Sequence, residues 1–151
     1  MNNKLGQSSA EAQAVFRLLR LIYVAMFVSV GAYWLVGEVV ARQTEITAPA
    51  ITVRVLQVVA AGTVLAVLVL RFQRIPALTA TALTTEPAAR LARLRVLYLV
   101  CFALAEAVAL YGLVLRFLGV PRGDVTLFFL AAVVLFLLCY PRPPALLFPP
   151  T

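Results

Sequence analysis

At 151 residues, 64% hydrophobic and only 13% charged, the chain does not read as a water-soluble domain, which carries roughly 25% charged residues and about half apolar ones. A mean hydropathy of +1.01 fits a membrane protein, where lipid takes the place of a buried core. The net charge of +7 is carried by arginines that punctuate the ends of apolar runs; no helix-turn-helix, zinc-finger or RNA-binding motif accompanies them, so the expected partner is the anionic lipid headgroup and not nucleic acid.

The first apolar run is 21–41 (LIYVAMFVSVGAYWLVGEVVA), bounded by Arg20 and Arg42 and preceded by the polar stretch MNNKLGQSSAEAQAVF. It is longer than a signal-peptide core, and the small-residue run 48–50 lies too far downstream for a cleavage site, so a retained anchor is expected. Glu38 near its end is expected to pair with Arg54 across the outer ends of the first two helices. Tyr33 and Trp34 read as interfacial aromatics, and Tyr23, just inside Arg20, as an anchor of the same kind.

The second run, 51–70 (ITVRVLQVVAAGTVLAVLVL), is closed by Arg71. A polar connection follows over 71–95, broken by Pro76 and Pro87, and its Ala/Arg/Leu run after Pro87 is expected to begin the third helix early. The third run is 96–115 (VLYLVCFALAEAVALYGLVL), between Arg95 and Arg116, with Tyr98 as its anchor. The fourth, 125–140 (VTLFFLAAVVLFLLCY), ends at Pro141 with Tyr140 at its border. A crossing helix needs about 20 apolar residues, so the fourth is short: it must thin the bilayer, borrow 122–124 as a snorkelling end, or re-enter. The tail 141–151 has five prolines in eleven residues and is expected to be non-helical.

The expected fold class is therefore all-α: an integral membrane four-helix protein, one domain over 1–151. Orientation follows from the basic residues. Lys4, Arg17, Arg20, Arg71, Arg74, Arg90, Arg93, Arg95 and Arg142 lie on one side, against Arg42, Arg54, Arg116 and Arg122 on the other. Nine against four places both termini and the middle connection in the cytoplasm. Arg outnumbers Lys twelve to one, a composition that points to a GC-rich bacterial genome and hence to a bacterial inner membrane.

The chain also reads as two duplicated helical hairpins. Shifted by 75 residues, Arg20, Tyr23, Phe27 and Gly37 fall on Arg95, Tyr98, Phe102 and Gly112. Gly31 then falls on Glu106, so only the second copy carries a mid-span carboxylate.

Glu106 is the one acid at the centre of a run, roughly 15 Å from either end and too deep to snorkel. A charged carboxylate there costs several kcal/mol, so the expectation is a neutral, protonated side chain or a paired one. Cys101, Ala105, Ala109 and Gly112 form a small-residue stripe beside it, suited to close helix–helix approach. Tyr111 on the same helix, and Gln57, Thr63 and Ser29 on the neighbours, are the polar groups that could reach it. Cys101 and Cys139 both lie in apolar runs, and without a histidine they read as packing residues.

The stretch ALAEAVALYGLVL (103–115) resembles the carboxylate-bearing helix of rotary-ATPase proteolipids, the ring-forming c or K subunits. The likeness covers thirteen residues, with Glu106, Tyr111, Gly112, Leu113 and Val114 in the matching places; Arg74-Ile75-Pro76 is faintly similar to that family's polar loop. The resemblance implies that Glu106 binds the translocated ion on a helix running from cytoplasm to outside. The family's glycine-rich inner helix has no counterpart beyond Ala60-Ala61-Gly62, and its four-span members carry the carboxylate on the fourth helix, not the third. Small multidrug transporters also use a lone intramembrane Glu, but in their first helix.

Two functions are in play. One is a small multi-pass subunit handling protons or a small cation through Glu106, as a homo-oligomer or with other membrane subunits. The other is a non-transporting scaffold in which Glu106 is interhelical hydrogen-bond glue. No Ser-His-Asp set, phosphate loop, intramembrane Asp pair or metal cluster is visible, so neither an enzyme nor a cofactor is expected.

Overall fold

The computed structural model describes residues 2–41, 49–75 and 87–141. Arg42, the 48–50 run in part, Pro76 and the tail from Arg142 lie outside them. The described residues form α1 (Asn2–Ala41), α2 (Ala50–Val69, continued by a π turn over Leu70–Arg74), α3 (Pro87–Phe117) and α4 (Arg122–Leu138). The segments Gln13–Val40, Ala50–Arg74 and Leu91–Phe117 are long and apolar enough to cross a membrane. The chain is an all-α membrane protein.

Local sequence explains the ends. Helix α1 runs 40 residues, beginning well before the apolar run, because GQSSAEAQAVF contains neither proline nor a β-branched cluster. Its Phe16 and Leu19 are buried in the core. Proline opens α3 at its first position, where a missing N–H costs nothing. The exit from α3 is a glycine-terminated turn: Gly119 takes φ 79°, and the Val120 N–H donates to Leu115 O at 3.1 Å, the six-to-one bond of a Schellman motif. Pro121 then caps α4. At 17 residues, α4 is an unbroken helix that rises only about 26 Å, less than the ~30 Å hydrocarbon core.

Helix α3 is the hub. Helices α1, α2 and α4 all pack against it, whereas α1 and α2, consecutive in sequence, scarcely meet among the described residues. Of the two hairpins that the repeat predicts, α3–α4 packs as one; α1 and α2 instead both lean on α3. The reason lies in the side chains. Cys101, Ala105, Ala109 and Gly112 are buried on α3, and at Gly112 an added Cβ would stand 2.9 Å from the Phe128 Cβ of α4. Small residues let α4 come this close. Helix α1 runs parallel to α3 and also touches α4, with Tyr23 edge-on to Phe102 at 5.6 Å and to Phe136 at 5.8 Å and Gly37 close against the Arg116 stem.

One end of the bundle is tied by rings. Tyr23 and Phe27 of α1, Phe102 of α3, and Phe136 and Tyr140 beside α4 interlock at centroid separations of 5.4–6.2 Å. Tyr23 and Tyr98 are therefore core residues, a correction to their reading as interfacial anchors. Leu21, Val24, Val28, Leu35 and Val39 remain exposed along α1, as do Ile51, Val55, Val58 and Leu65 on α2. In a membrane protein such apolar surfaces face lipid.

Candidate functional site: a carboxylate between two hydroxyls

Glu106 lies between α3 and α1, half-buried. Its Oε1 accepts two hydrogen bonds, from Ser29 Oγ at 2.8 Å and from Tyr33 OH at 2.7 Å. Ser29 and Tyr33 are one helical turn apart on α1, so their side chains project from one face. The parallel packing of α1 on α3 brings that face to mid-span. Tyr33 thus turns its hydroxyl inward to the carboxyl, which corrects its reading as a lipid-interface aromatic.

Of the polar groups expected beside Glu106, Ser29 reaches it; Thr63, Gln57 and Tyr111 go elsewhere. Thr63 donates to Val59 O of its own helix at 2.9 Å. Gln57 is exposed on α2. Tyr111 is five residues on, which is roughly 140° around the helix, and it forms no hydrogen bond with Glu106 among the described residues. The carboxyl faces α1, not α2, and that choice of neighbour removes Gln57 and Thr63 from the site. Ser29-x-x-x-Tyr33 was the available signal: two hydroxyls at i, i+4 in an otherwise apolar run, flanking the Gly31 that the repeat aligns with Glu106.

The arrangement serves both protonation states. Ser29 Oγ is also 2.7 Å from Met26 O, and a hydroxyl has one proton to give. Beside an ionised Glu106, Ser29 and Tyr33 both donate to Oε1. Beside a carboxylic acid protonated on Oε1, Ser29 turns its proton to Met26 O and accepts the acid proton, while Tyr33 still donates. Rotation of a single hydroxyl converts one network to the other.

A second polar cluster closes the opposite end from the ring cluster. Glu38 Oε1 lies 3.4 Å from Arg116 Nε and 3.6 Å from Arg122 Nε, and the Arg122 guanidinium stands 5.3 Å over the Trp34 ring. The Arg116 contact is an ion pair without hydrogen-bond geometry, since Nε lacks a hydrogen-bond partner; Nη1 of the same group donates to Val120 O at 3.2 Å. Arg54 is exposed, so the expected Glu38–Arg54 pair is replaced by one to the α3–α4 turn. The cause is again that α1 meets α3 and hardly meets α2.

The chain matches no protein-family model, and no curated protein or solved structure is significantly similar to it.

Proposed function

We propose that the protein is a small multi-pass membrane subunit that takes up and releases a proton at Glu106, in a bacterial inner membrane with both termini cytoplasmic. The observation that carries this reading is the pair of hydroxyls on Oε1. At 2.7–2.8 Å the oxygens are in direct hydrogen-bond contact, a spacing that a shared proton occupies and a coordinated cation would have to force open. Of the proton and the small cation, the proton is therefore favoured. Intramembrane acids cost enough to be kept for such work, and Glu106 is only half-buried, which leaves it a route to lipid or to a neighbouring subunit. The local likeness to a proteolipid ion-binding helix supports the same chemistry.

The scaffold reading has an observation of its own, since the two hydrogen bonds also tie α1 to α3. A hydrophobic carbodiimide distinguishes them, because it reacts with protonated carboxyls open to lipid. Labelling of Glu106 in native membranes that falls as pH rises, together with proton flux in proteoliposomes that is lost in Glu106→Gln, is the expected result. Absence of labelling at any pH, or unchanged flux in Glu106→Gln, would leave hydrogen-bond glue as its role.

A further inference from the structure

The cluster of Glu38, Arg116 and Arg122 is unevenly satisfied. Two guanidiniums share a single carboxylate oxygen, Glu38 Oε1, at 3.4 and 3.6 Å. Neither contact is a hydrogen bond: the buried Arg116 Nε has no hydrogen-bond partner, and the Arg122 contact is too long for one. Arg116 uses one donor, Nη1, on Val120 O. Arg122 donates no hydrogen bond among the described residues, and its side chain is 60% exposed. One positive charge and the whole Arg122 donor set are therefore unanswered. Asp124 does not answer them. Two residues beyond Arg122 on α4, it projects roughly 200° around the helix, and it forms no ion pair among the described residues.

Arg122 is nevertheless held in place. Its guanidinium stands 5.3 Å over the Trp34 ring, an attraction between cation and ring face that fixes the side chain without giving its N–H groups a carbonyl or carboxylate acceptor. The cluster lies at the ends of two membrane-crossing segments, Gln13–Val40 and Leu91–Phe117, and at the start of α4. There the hydrocarbon gives way to headgroups, and the abundant acceptor at that depth is the phosphodiester. A guanidinium meets phosphate oxygens with paired N–H···O bonds, where an ammonium offers only a point charge. One phosphodiester carries one negative charge, which is the charge that Glu38 fails to supply.

We propose that Arg122 and Arg116, positioned by Trp34 and Glu38, form a specific site for the phosphodiester of an anionic phospholipid at this end of the bundle. Arginines scattered at a membrane border attract headgroups as diffuse charge; here one guanidinium is immobilised on a ring and one shared carboxylate sets the net charge to a single unit. Because the cluster joins α1 to the α3–α4 turn, a bound lipid bridges those helices. The site is independent of proton uptake, since Arg116 lies roughly 15 Å beyond Glu106 along α3.

Trp34 is the sole tryptophan of the chain and so reports from the site itself. The test titrates the full chain, in a maltoside detergent, with dihexanoyl phosphatidylglycerol below its micelle concentration, and in parallel with dihexanoylglycerol and with inorganic phosphate. Trp34 emission is followed. A saturable change with the phospholipid alone is expected. Arg122→Gln should weaken it about tenfold or more, the scale of lost charge-assisted hydrogen bonds. Arg122→Lys keeps the charge and loses the fork, and should weaken it nearly as much. Arg122 is largely exposed, so both variants should keep the fold, and circular dichroism checks that they do. A change that does not saturate, that dihexanoylglycerol reproduces, or that Arg122→Lys leaves as in wild type would overturn the proposal. An equal response to inorganic phosphate would make this a free-anion site and overturn the assignment to lipid.

Discussion

A carboxylate at mid-span is tolerated only if something answers its polarity, and here Ser29 and Tyr33 answer it from α1. Each of these bonds should contribute about 1 kcal/mol, the usual scale for side-chain hydrogen bonds inside membranes. Ser29→Ala and Tyr33→Phe are therefore expected to lower stability by about that much each, as read from thermal unfolding in mixed micelles. They should also act on the reactivity of the carboxyl: the extent of carbodiimide labelling of Glu106 is expected to change in either variant. Labelling identical to wild type would show that the hydroxyls stabilise structure alone. Glu106 stood out in the sequence as a lone acid in an apolar run. Of its partners, Ser29 was among the groups expected to reach it; Tyr33 was not, because it is an unremarkable residue until the face of α1 that meets α3 is known.

Among the elements, α3 has the most demanding surface. It must accept α4 on a stripe of Cys101, Ala105, Ala109 and Gly112, and α1 on the face that bears Glu106. At Gly112 a methyl group would meet the Phe128 Cβ at 2.9 Å and Phe129 Cε2 at 3.2 Å, so helix must move from helix. Gly112→Ala is expected to cost about 1–3 kcal/mol, the range for overpacking a tight interface. Gly62 on α2 has no atom within 4 Å of an added Cβ, and Gly62→Ala should be neutral or stabilising by up to about 1 kcal/mol through helix propensity. Unfolding midpoints of the two variants in the same micelles give the comparison; equal midpoints would mean that the α3–α4 contact at Gly112 gives way without cost. The stripe was legible beforehand from its helical spacing. That its partner would be α4 was not, since small residues announce a close neighbour without naming it.

For the whole molecule, arginine placement and helix packing give one up-and-down arrangement. Arg71 and the ring cluster mark one end, and the Glu38–Arg116–Arg122 group with Trp34 marks the other. Nine basic residues against four predict that the Arg71 end is cytoplasmic. Reporter fusions check this: an alkaline phosphatase, active only outside the cytoplasm, should be inactive at either terminus and active when inserted between Gly119 and Pro121. Activity at a terminus would invert or break the assignment. The shortness of α4 adds a further constraint. A 17-residue helix packed along α3 must draw the headgroup region inward at one of its ends, and Arg122 and Asp124, both exposed, are polar enough to sit there.

The sequence by itself determined that the chain is helical and membrane-embedded, where its apolar runs lie, and that Glu106 is the singular polar group. These follow from composition and run length, which are local properties, because lipid forces each segment to satisfy its own backbone. Only the tertiary structure decided which helices touch. It set α1, not α2, against Glu106, and gave Glu38 to Arg116 and Arg122 in place of Arg54. Between helices surrounded by lipid no hydrophobic force selects a partner; the choice falls to the fit of small residues against rings and to a few hydrogen bonds, and these are properties of pairs of faces that no single segment contains.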